Sequence, residues 1–109
     1  RINKADGVID WSHSAVAIDR SIRAFNPWPV AQTLLDGELL RCWSAIPLDA
    51  AGEASSPPGT VIRIEQRGIV VQTGDGLLIL TEVQLPGKKR MPGFELARSR
   101  VCEHVVLGR

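Results

Sequence analysis

Ile22-Arg23-Ala24-Phe25-Asn26-Pro27-Trp28-Pro29 is the segment at which a helix of this chain must end. Proline lacks a backbone N–H and disfavours helical geometry in the residue before it, so two prolines one residue apart stop a helix. Trp28 lies between the two rings and places a large apolar side chain at this corner. The segment therefore predicts a helix before residue 27 and an extended chain after residue 29.

The predicted helix is amphipathic. Its apolar residues recur three and four positions apart and form one stripe: Ala15, Ile18, Ile22 and Phe25. Ser12 is a good N-cap for this helix. Asp19 and Arg23 lie four residues apart on the opposite side and can pair. Because such a pair contributes only ~0.2–0.5 kcal/mol, we expect the apolar stripe to hold the helix in place.

Strand patterns follow the corner. Five short strands are predicted, at 31–35, 38–46, 60–65, 69–73 and 77–85, and a weak helix at 94–98. Asp36-Gly37, Gln66-Arg67-Gly68 and Gly74-Asp75-Gly76 mark the tight turns, and residues 50–59 read as a surface loop. Unpaired sheet edges are hazardous, so we expect closure into a barrel. The expected fold is mainly β, an OB-like five-stranded barrel with an N-terminal α-helix and a short C-terminal helix.

The bulk composition is that of one globular domain. The chain has 109 residues, of which 44% are hydrophobic and 23% charged, and its net charge is +1. Residues 1–8 read as an interdomain linker and residues 9–109 as the domain. Since the first residue is Arg1 rather than Met, we expect a piece of a longer enzyme. No apolar run approaches the ~20 residues that cross a bilayer, so we expect no membrane partner. The protein is also expected to be cytoplasmic and a monomer.

Most patterns that suggest chemistry do not hold. Two cysteines and two histidines are present, but their spacing matches no metal site: Cys42, Cys102, His13 and His104. We expect both cysteines to be buried free thiols and His13 to be exposed. Gly74-Asp75-Gly76 resembles a phosphate loop, but strand residues follow it instead of a helix, so it is read as a turn.

The basic residues are the remaining candidates for a site. From residue 88 to residue 100 there are five basic residues and one acid. Lys88, Lys89 and Arg90 follow Pro86-Gly87, which places three adjacent cations on a loop that can meet a polyanion. Other cations could extend this patch: Arg41, Arg63, Arg67 and Lys4. Strand alternation puts Arg41 on one face with Leu39, Trp43 and Ala45.

The tryptophans have two readings. Trp28 and Trp43 could stack nucleic-acid bases. Trp11 and Trp28 flank the predicted helix, however, and the favoured reading places them in the core or at an interface between domains.

Five segments, taken in order, resemble the C-terminal domain of methionyl-tRNA formyltransferases. They are Arg1-Ile2-Asn3-Lys4 with Gly7-Val8-Ile9-Asp10-Trp11-Ser12, the corner Ile22 to Pro29, Arg41-Cys42-Trp43-Ser44-Ala45, Thr73-Gly74-Asp75-Gly76 with Leu77 to Leu80, and Gln84-Leu85-Pro86-Gly87-Lys88-Lys89-Arg90-Met91. The chain departs from that family's usual pattern at Val30 and at Met91-Pro92-Gly93.

This resemblance implies a function. In that family a separate N-terminal domain moves a formyl group from 10-formyltetrahydrofolate to methionine on the initiator tRNA. The resemblance implies that this domain has no catalytic residue, cofactor site or metal. It implies binding of initiator Met-tRNA and contact with the catalytic domain of the same chain. The residues expected to bind tRNA are Lys88, Lys89, Arg90, Arg63, Arg67, Arg41 and Lys4.

Two alternatives remain open. Related domains of formyltetrahydrofolate dehydrogenases and sugar-nucleotide formyltransferases are structural modules that bind no tRNA. A continuous positive surface would favour tRNA binding, and scattered charge would favour the structural role. An independent oligonucleotide-binding protein of OB type ranks third, because few aromatic residues fall on the predicted strands.

Overall fold

The computed structural model describes residues 3–49 and 56–109. A 3-10 turn, Lys4–Gly7, precedes the first helix. The helices and strands are α1 (Ala15–Ala24), β1 (Ala31–Leu35), β2 (Glu38–Leu48), β3 (Val61–Glu65), β4 (Gly68–Gln72), β5 (Leu77–Gln84), β6 (Met91–Pro92) and α2 (Gly93–Arg100). The mainly β fold class is confirmed, with one helix in front of the strands and a short one behind them. Residues 50–55 of the predicted surface loop lie outside the described residues.

One antiparallel sheet contains all the strands. Their order is β1-β2-β5-β4-β3, and β6 pairs with the end of β5. The five predicted strands are therefore present, and Met91–Pro92 adds a short sixth one that the sequence did not indicate. Each predicted tight turn joins the strands it was assigned to, and Asp36 and Gly37 both adopt the positive φ that a two-residue hairpin turn requires.

The C-terminal segment bridges the two outermost strands, β1 and β3. The N–H of Val61 donates to the carbonyl of Val105 at 2.7 Å, and the N–H of Leu107 donates to that of Gly59 at 2.7 Å. On the other side, the N–H of Gly108 donates to the carbonyl of Leu34 at 2.8 Å. The sheet thus becomes a small barrel whose edges are covered by the last residues of the chain.

The core lies between the sheet and the two helices. Three residues of the predicted helical stripe, Ala15, Ile18 and Ile22, are buried in it. β4 and β5 are buried on both faces, because Val70, Leu77 and Ile79 form a second, smaller cluster on the opposite side of the sheet. The loop that follows β5 therefore continues from a strand that is covered on both faces.

Four local predictions change. Ser14, not Ser12, caps α1, because its hydroxyl accepts the N–H of Ala17 at 3.1 Å while Ser12 binds Asp10. Cys102 is exposed, whereas Cys42 is buried as expected. Trp11 is buried, whereas Trp28 is 55% exposed and lies outside the core, which leaves the interface between domains as the prediction for Trp28. The corner does not leave directly as an extended chain either: both X–Pro bonds are cis, and turns cover residues 25–29.

The first described residues pack against the domain. Asn3 caps the 3-10 turn, and Gly7 is buried against Pro29 and Val30. Val8 then forms a bridge with Gln32 of β1. The interdomain role assigned to residues 1–8 stays a prediction.

Candidate nucleic-acid interface

The basic loop, residues 86–90, starts with a tight turn. The N–H of Lys88 donates to the carbonyl of Leu85 at 3.1 Å, and Gly87 has φ +72°. Proline at the second position and glycine with positive φ at the third are the residues that a type II turn requires. Lys88, Lys89 and Arg90 follow this turn, and all three are exposed. Among residues 3–49 and 56–109, none of the three forms an ion pair with a carboxylate.

Arg90 lies flat against Trp43 of β2. Its Cζ is 3.4 Å from the centroid of the indole ring, a close cation–π contact. The indole is fixed in turn, because its Nε1–H donates to Oε1 of Gln84 at 2.9 Å. Nε2 of Gln84 donates to the carbonyl of Lys88 at 2.8 Å. We call Arg90, Trp43 and Gln84 the stacking platform. It ties the basic loop to the sheet at both ends.

Arg41 lies beside the platform. It is paired with Gln84 across β2 and β5, and it lines a depression of about 200 Å³ with Leu39, Gln84 and the turn at Pro86–Gly87. Its Nε is buried, and no hydrogen-bond acceptor in the described part of the chain meets it. A buried cationic donor without an acceptor is unfavourable. Because Nε itself is closed off from solvent, a ligand oxygen in the depression would reach it only after a shift of the Arg41 side chain.

The predicted face of β2 is only partly correct. Leu39, Arg41 and Trp43 share the outer face, while Leu40 and Cys42 point into the core. A bulge shifts the register between Cys42 and Ala45, so Ala45 packs against the core instead of joining that face. A β-bulge re-aims the side chains that follow it, and strand alternation from sequence cannot anticipate the change.

The hairpin between β3 and β4 pairs its two arginines with one carboxylate. Glu65 accepts hydrogen bonds from Arg63 at 2.7 Å and from Arg67 at 2.9 Å. These bonds, with Arg63 the larger cause and Arg67 the second, lower the pKa of Glu65 below its usual value. The carboxylate therefore stays ionised and pairs with both arginines. The structure does not bring Arg63 and Arg67 into the stacking platform.

Lys4 lies on the other side of Arg41. Register connects the segments in one row, in which Val8 bridges to Gln32, Gln32 pairs with Arg41, and Arg41 pairs with Gln84. Neighbouring strands are ~4.8 Å apart, so the row spans roughly 15 Å. Lys4 is exposed four residues before its start. The cations are not alone on this face, because Glu82 precedes Gln84 by two residues and is half-buried.

A catalytic arrangement is not formed by the exposed Asp10, Ser12 and His13. The hydroxyl of Ser12 donates to Asp10 at 2.6 Å, and Nε2 of His13 lies 3.3 Å from the same carboxylate. The hydrogen bonds from Ser12 are the largest cause of a lowered pKa of Asp10. The Ser12 hydroxyl and the His13 imidazole therefore both contact Asp10. In a catalytic site the hydroxyl would instead contact the imidazole that activates it.

The described ranges contain neither a candidate metal site nor a candidate membrane-spanning helix. No group of three histidine, cysteine, aspartate or glutamate side chains there is placed to hold a metal ion. No helix within those ranges is both long enough and apolar enough to span a membrane, and α1 has only 10 residues.

Sequence reasoning missed the stacking platform. Trp43 was weighed as a base-stacking residue, but nothing in the sequence pairs it with Arg90, which lies 47 residues away along the chain. No sequence pattern indicates a functional role for the side chain of Gln84. Its role arises because the bulge in β2 leaves Trp43 opposite the end of β5.

Solved structures share this fold. The chain superposes on HypX from Aquifex aeolicus in complex with tetrahydrofolic acid with a TM-score of 0.72 and 18% identity, covering 89% of this chain and 17% of that one. A variant of the same protein, A392F-I419F, gives a TM-score of 0.70 with the same identity, covering 91% of this chain and 18% of that one. At this identity the likeness concerns the fold alone.

Curated relatives are more similar in sequence. The methionyl-tRNA formyltransferase of Nitrosococcus oceani is 50% identical over 91 residues, which cover 84% of this chain and 28% of that protein. The methionyl-tRNA formyltransferase of Hydrogenovibrio crunogenus is 42% identical over 110 aligned positions, covering 99% of this chain and 34% of that protein. The chain thus spans about a third of the length of these relatives. Residues 1–101 match the family model for the formyl transferase C-terminal domain, and the chain belongs to that family.

Proposed function

We propose that this chain is the part of a methionyl-tRNA formyltransferase that holds the initiator Met-tRNA. An N-terminal catalytic domain of the same protein would transfer the formyl group from 10-formyltetrahydrofolate to the methionyl amino group. The domain described here supplies cations to the tRNA backbone and positions the acceptor arm over that catalytic site. Contacts of this kind position a nucleic acid without reading its sequence.

The observation that carries the proposal is the basic loop. Lys88 and Lys89 are exposed, and no carboxylate among the described residues pairs with them. Arg41 lies next to the loop with a buried donor that has no acceptor. Arg63 and Arg67 are already paired with Glu65, whereas Lys88, Lys89 and Arg41 can take phosphate oxygens. The names of the curated relatives, methionyl-tRNA formyltransferases, support a tRNA as the polyanion.

A structural module without tRNA binding is the second candidate. The pairing of Glu65 with Arg63 and Arg67 favours it, because it interrupts the positive surface at the β3–β4 hairpin. The seven cations expected to bind tRNA therefore do not act as one set. We keep Lys88, Lys89, Arg90, Arg41 and Lys4 as the main contact and treat the hairpin pair separately.

A salt titration of binding tests the proposal. The 109-residue chain should bind initiator tRNA weakly, with a Kd of roughly 10⁻⁴–10⁻⁶ M at physiological salt, and the affinity should fall linearly on a logarithmic salt axis. The double variant K88E/K89E should weaken binding at least about tenfold and flatten the salt dependence by about two charges. Fluorescence anisotropy of labelled tRNA measures both quantities.

Arg20→Glu provides the control, because it reverses a charge in the same way. Arg20 is an exposed cation of α1, outside the basic loop, so its loss should change affinity little. Formylation of initiator tRNA by the complete protein carrying K88E/K89E should fall in parallel with binding. Unchanged formylation together with unchanged binding would leave the structural module as the function.

A further inference from the structure

One face of the stacking platform is covered by Trp43, and the other is open to solvent. Trp43 covers one side of the Arg90 guanidinium, with its Cζ 3.4 Å from the ring centroid. Arg90 itself is exposed, so the other side of the planar group faces solvent. Arginine planes stacked on aromatic rings are surfaces on which unpaired nucleic-acid bases stack. Such a surface has no use in contacting a duplex backbone.

The platform is held in place before any ligand arrives. The indole of Trp43 is fixed by its 2.9 Å hydrogen bond to Gln84, and Gln84 is fixed by its 2.8 Å bond to the carbonyl of Lys88. The strands that carry these residues are the central pair β2 and β5. A ligand that stacks on a preformed surface loses less binding free energy to ordering than one that must assemble it.

Groups that suit a phosphate lie on either side of the platform. Gln84 pairs with Arg41 across the strands and accepts the hydrogen bond of Trp43. Arg41 lines a depression of about 200 Å³ together with the turn at Pro86–Gly87. Lys88 and Lys89 lie on the loop that Arg90 ends. A stacking plane with cations at its border matches one nucleotide, with the base on the plane and the phosphate beside it.

We propose that Arg90, stacked on Trp43, forms a subsite for one unpaired nucleotide of an RNA strand, whose base stacks on the outer face of the guanidinium and whose phosphate is held by Arg41 and Lys88. This inference rests on the proposed function and deepens it, because it names a single-stranded segment as the part of the RNA that meets this loop. A duplex offers its phosphates to the same cations but no free base to the plane.

The test compares Arg90→Lys with the wild-type chain. Lysine keeps the positive charge and removes the planar group. The probes are an oligoadenylate strand and a blunt RNA duplex of the same length, with binding measured by anisotropy over a range of salt. The wild-type chain should prefer the strand. Arg90→Lys should lose roughly tenfold in affinity for the strand, keep its affinity for the duplex and keep the salt slope.

Other readouts separate stacking from loss of structure. The thermal midpoint of Arg90→Lys should stay close to that of the wild type, because lysine keeps a cation beside Trp43 and Arg90 forms no ion pair in the described ranges. In the wild-type chain, oligoadenylate should move the Nε–H resonance of Arg90 upfield through the ring current of the stacked base. Arg90→Gln should weaken binding of the strand as Arg90→Lys does. It should also flatten the salt dependence of that binding by about 0.7.

Each result decides a different question. Equal affinity of the wild type for strand and duplex, or an Arg90→Lys variant that binds the strand like the wild type, would overturn the nucleotide subsite. If initiator tRNA still bound with the expected salt dependence, the proposed function would stand without it. Absence of salt-dependent binding to any of these RNAs would remove both.

Discussion

Gly74 is the residue at which the turn after β4 touches the segment that leads into α1. Its N–H donates to the carbonyls of Trp11 and His13, at 3.0 Å each. A Cβ at this position would overlap the carbonyl oxygen of Ser12. Because that oxygen belongs to the backbone, it cannot turn aside as a flexible side chain would. The glycine is therefore required by close approach, not by an unusual φ angle.

We expect Gly74→Ala to lower the free energy of unfolding by at least about 2 kcal/mol, since the segment before α1 must move. Gly37→Ala is the matched control. Gly37 has φ +79° and no atom near its missing Cβ, so this change should cost only about 1 kcal/mol of backbone strain. Urea unfolding of both variants gives the comparison. An equal cost for the two would contradict the close approach.

For single residues, the sequence predicts the conformation of local turns but not the contacts between residues far apart in the chain. Asp36-Gly37 and Pro86-Gly87 are local signals, because the turn they make depends on their own backbone preferences. The contact between Arg90 and Trp43 depends on the pairing of β2 with β5, which brings together residues far apart in the chain. Val30, a buried β-branched residue at φ +73°, contradicts local preference and could not be anticipated either.

Among the elements, α1 owes its start to a cap that lies two residues later than the sequence suggested. The hydroxyl of Ser14 accepts the N–H of Ala17. Ser14→Ala should therefore destabilise the domain by about 1 kcal/mol. Ser12→Ala, which removes an exposed hydroxyl outside the helix, should change stability by less than about 0.5 kcal/mol. Chemical denaturation measures the stability of both variants. A larger loss for Ser12→Ala than for Ser14→Ala would indicate that Ser12 caps the helix.

The β3–β4 hairpin allows a test by gain of charge. Glu65→Gln removes the carboxylate that Arg63 and Arg67 share. If this hairpin meets tRNA, as the sequence suggested, the loss of one negative charge beside Arg63 and Arg67 should tighten binding and steepen its salt dependence. Glu38→Gln is the control, because it also removes one acid bound to an arginine, Arg100, at 2.6 Å. Equal effects of the two changes would place the hairpin outside the interface.

The pairing of Glu65 with Arg63 and Arg67 makes the stability of the fold depend on pH. The pKa of Glu65 is lowered in the folded chain, so its pairing stabilises the fold above the unfolded pKa of about 4.3. That stability is lost as the pH falls through the lowered folded value. Binding measured near neutral pH therefore always meets an ionised Glu65, and the effect of Glu65→Gln cannot be attributed to protonation of the wild type.

For the whole molecule, the order of turns and strands was enough to predict a small barrel, because each hairpin is a local signal. The way the barrel closes was not predictable. The residues that cover its edges, 104–109, carry no strand pattern, and the family match ends at residue 101. Their position follows from the unpaired edges of β1 and β3, which need hydrogen-bond partners that only the folded chain defines.

Closure by the C-terminal segment leads to the last prediction. Leu107 is 3% exposed and packs in the main core, while its N–H pairs with the carbonyl of Gly59. Leu107→Ala should cost about 2–5 kcal/mol, far more than Val106→Ala at the half-buried neighbour. A chain that ends at residue 103 should also lose the protection of the Val61 amide, which donates to Val105. Hydrogen exchange followed by NMR measures this protection. If the shortened chain kept a protected Val61 amide and the same free energy of unfolding, the tail would not be what closes the barrel.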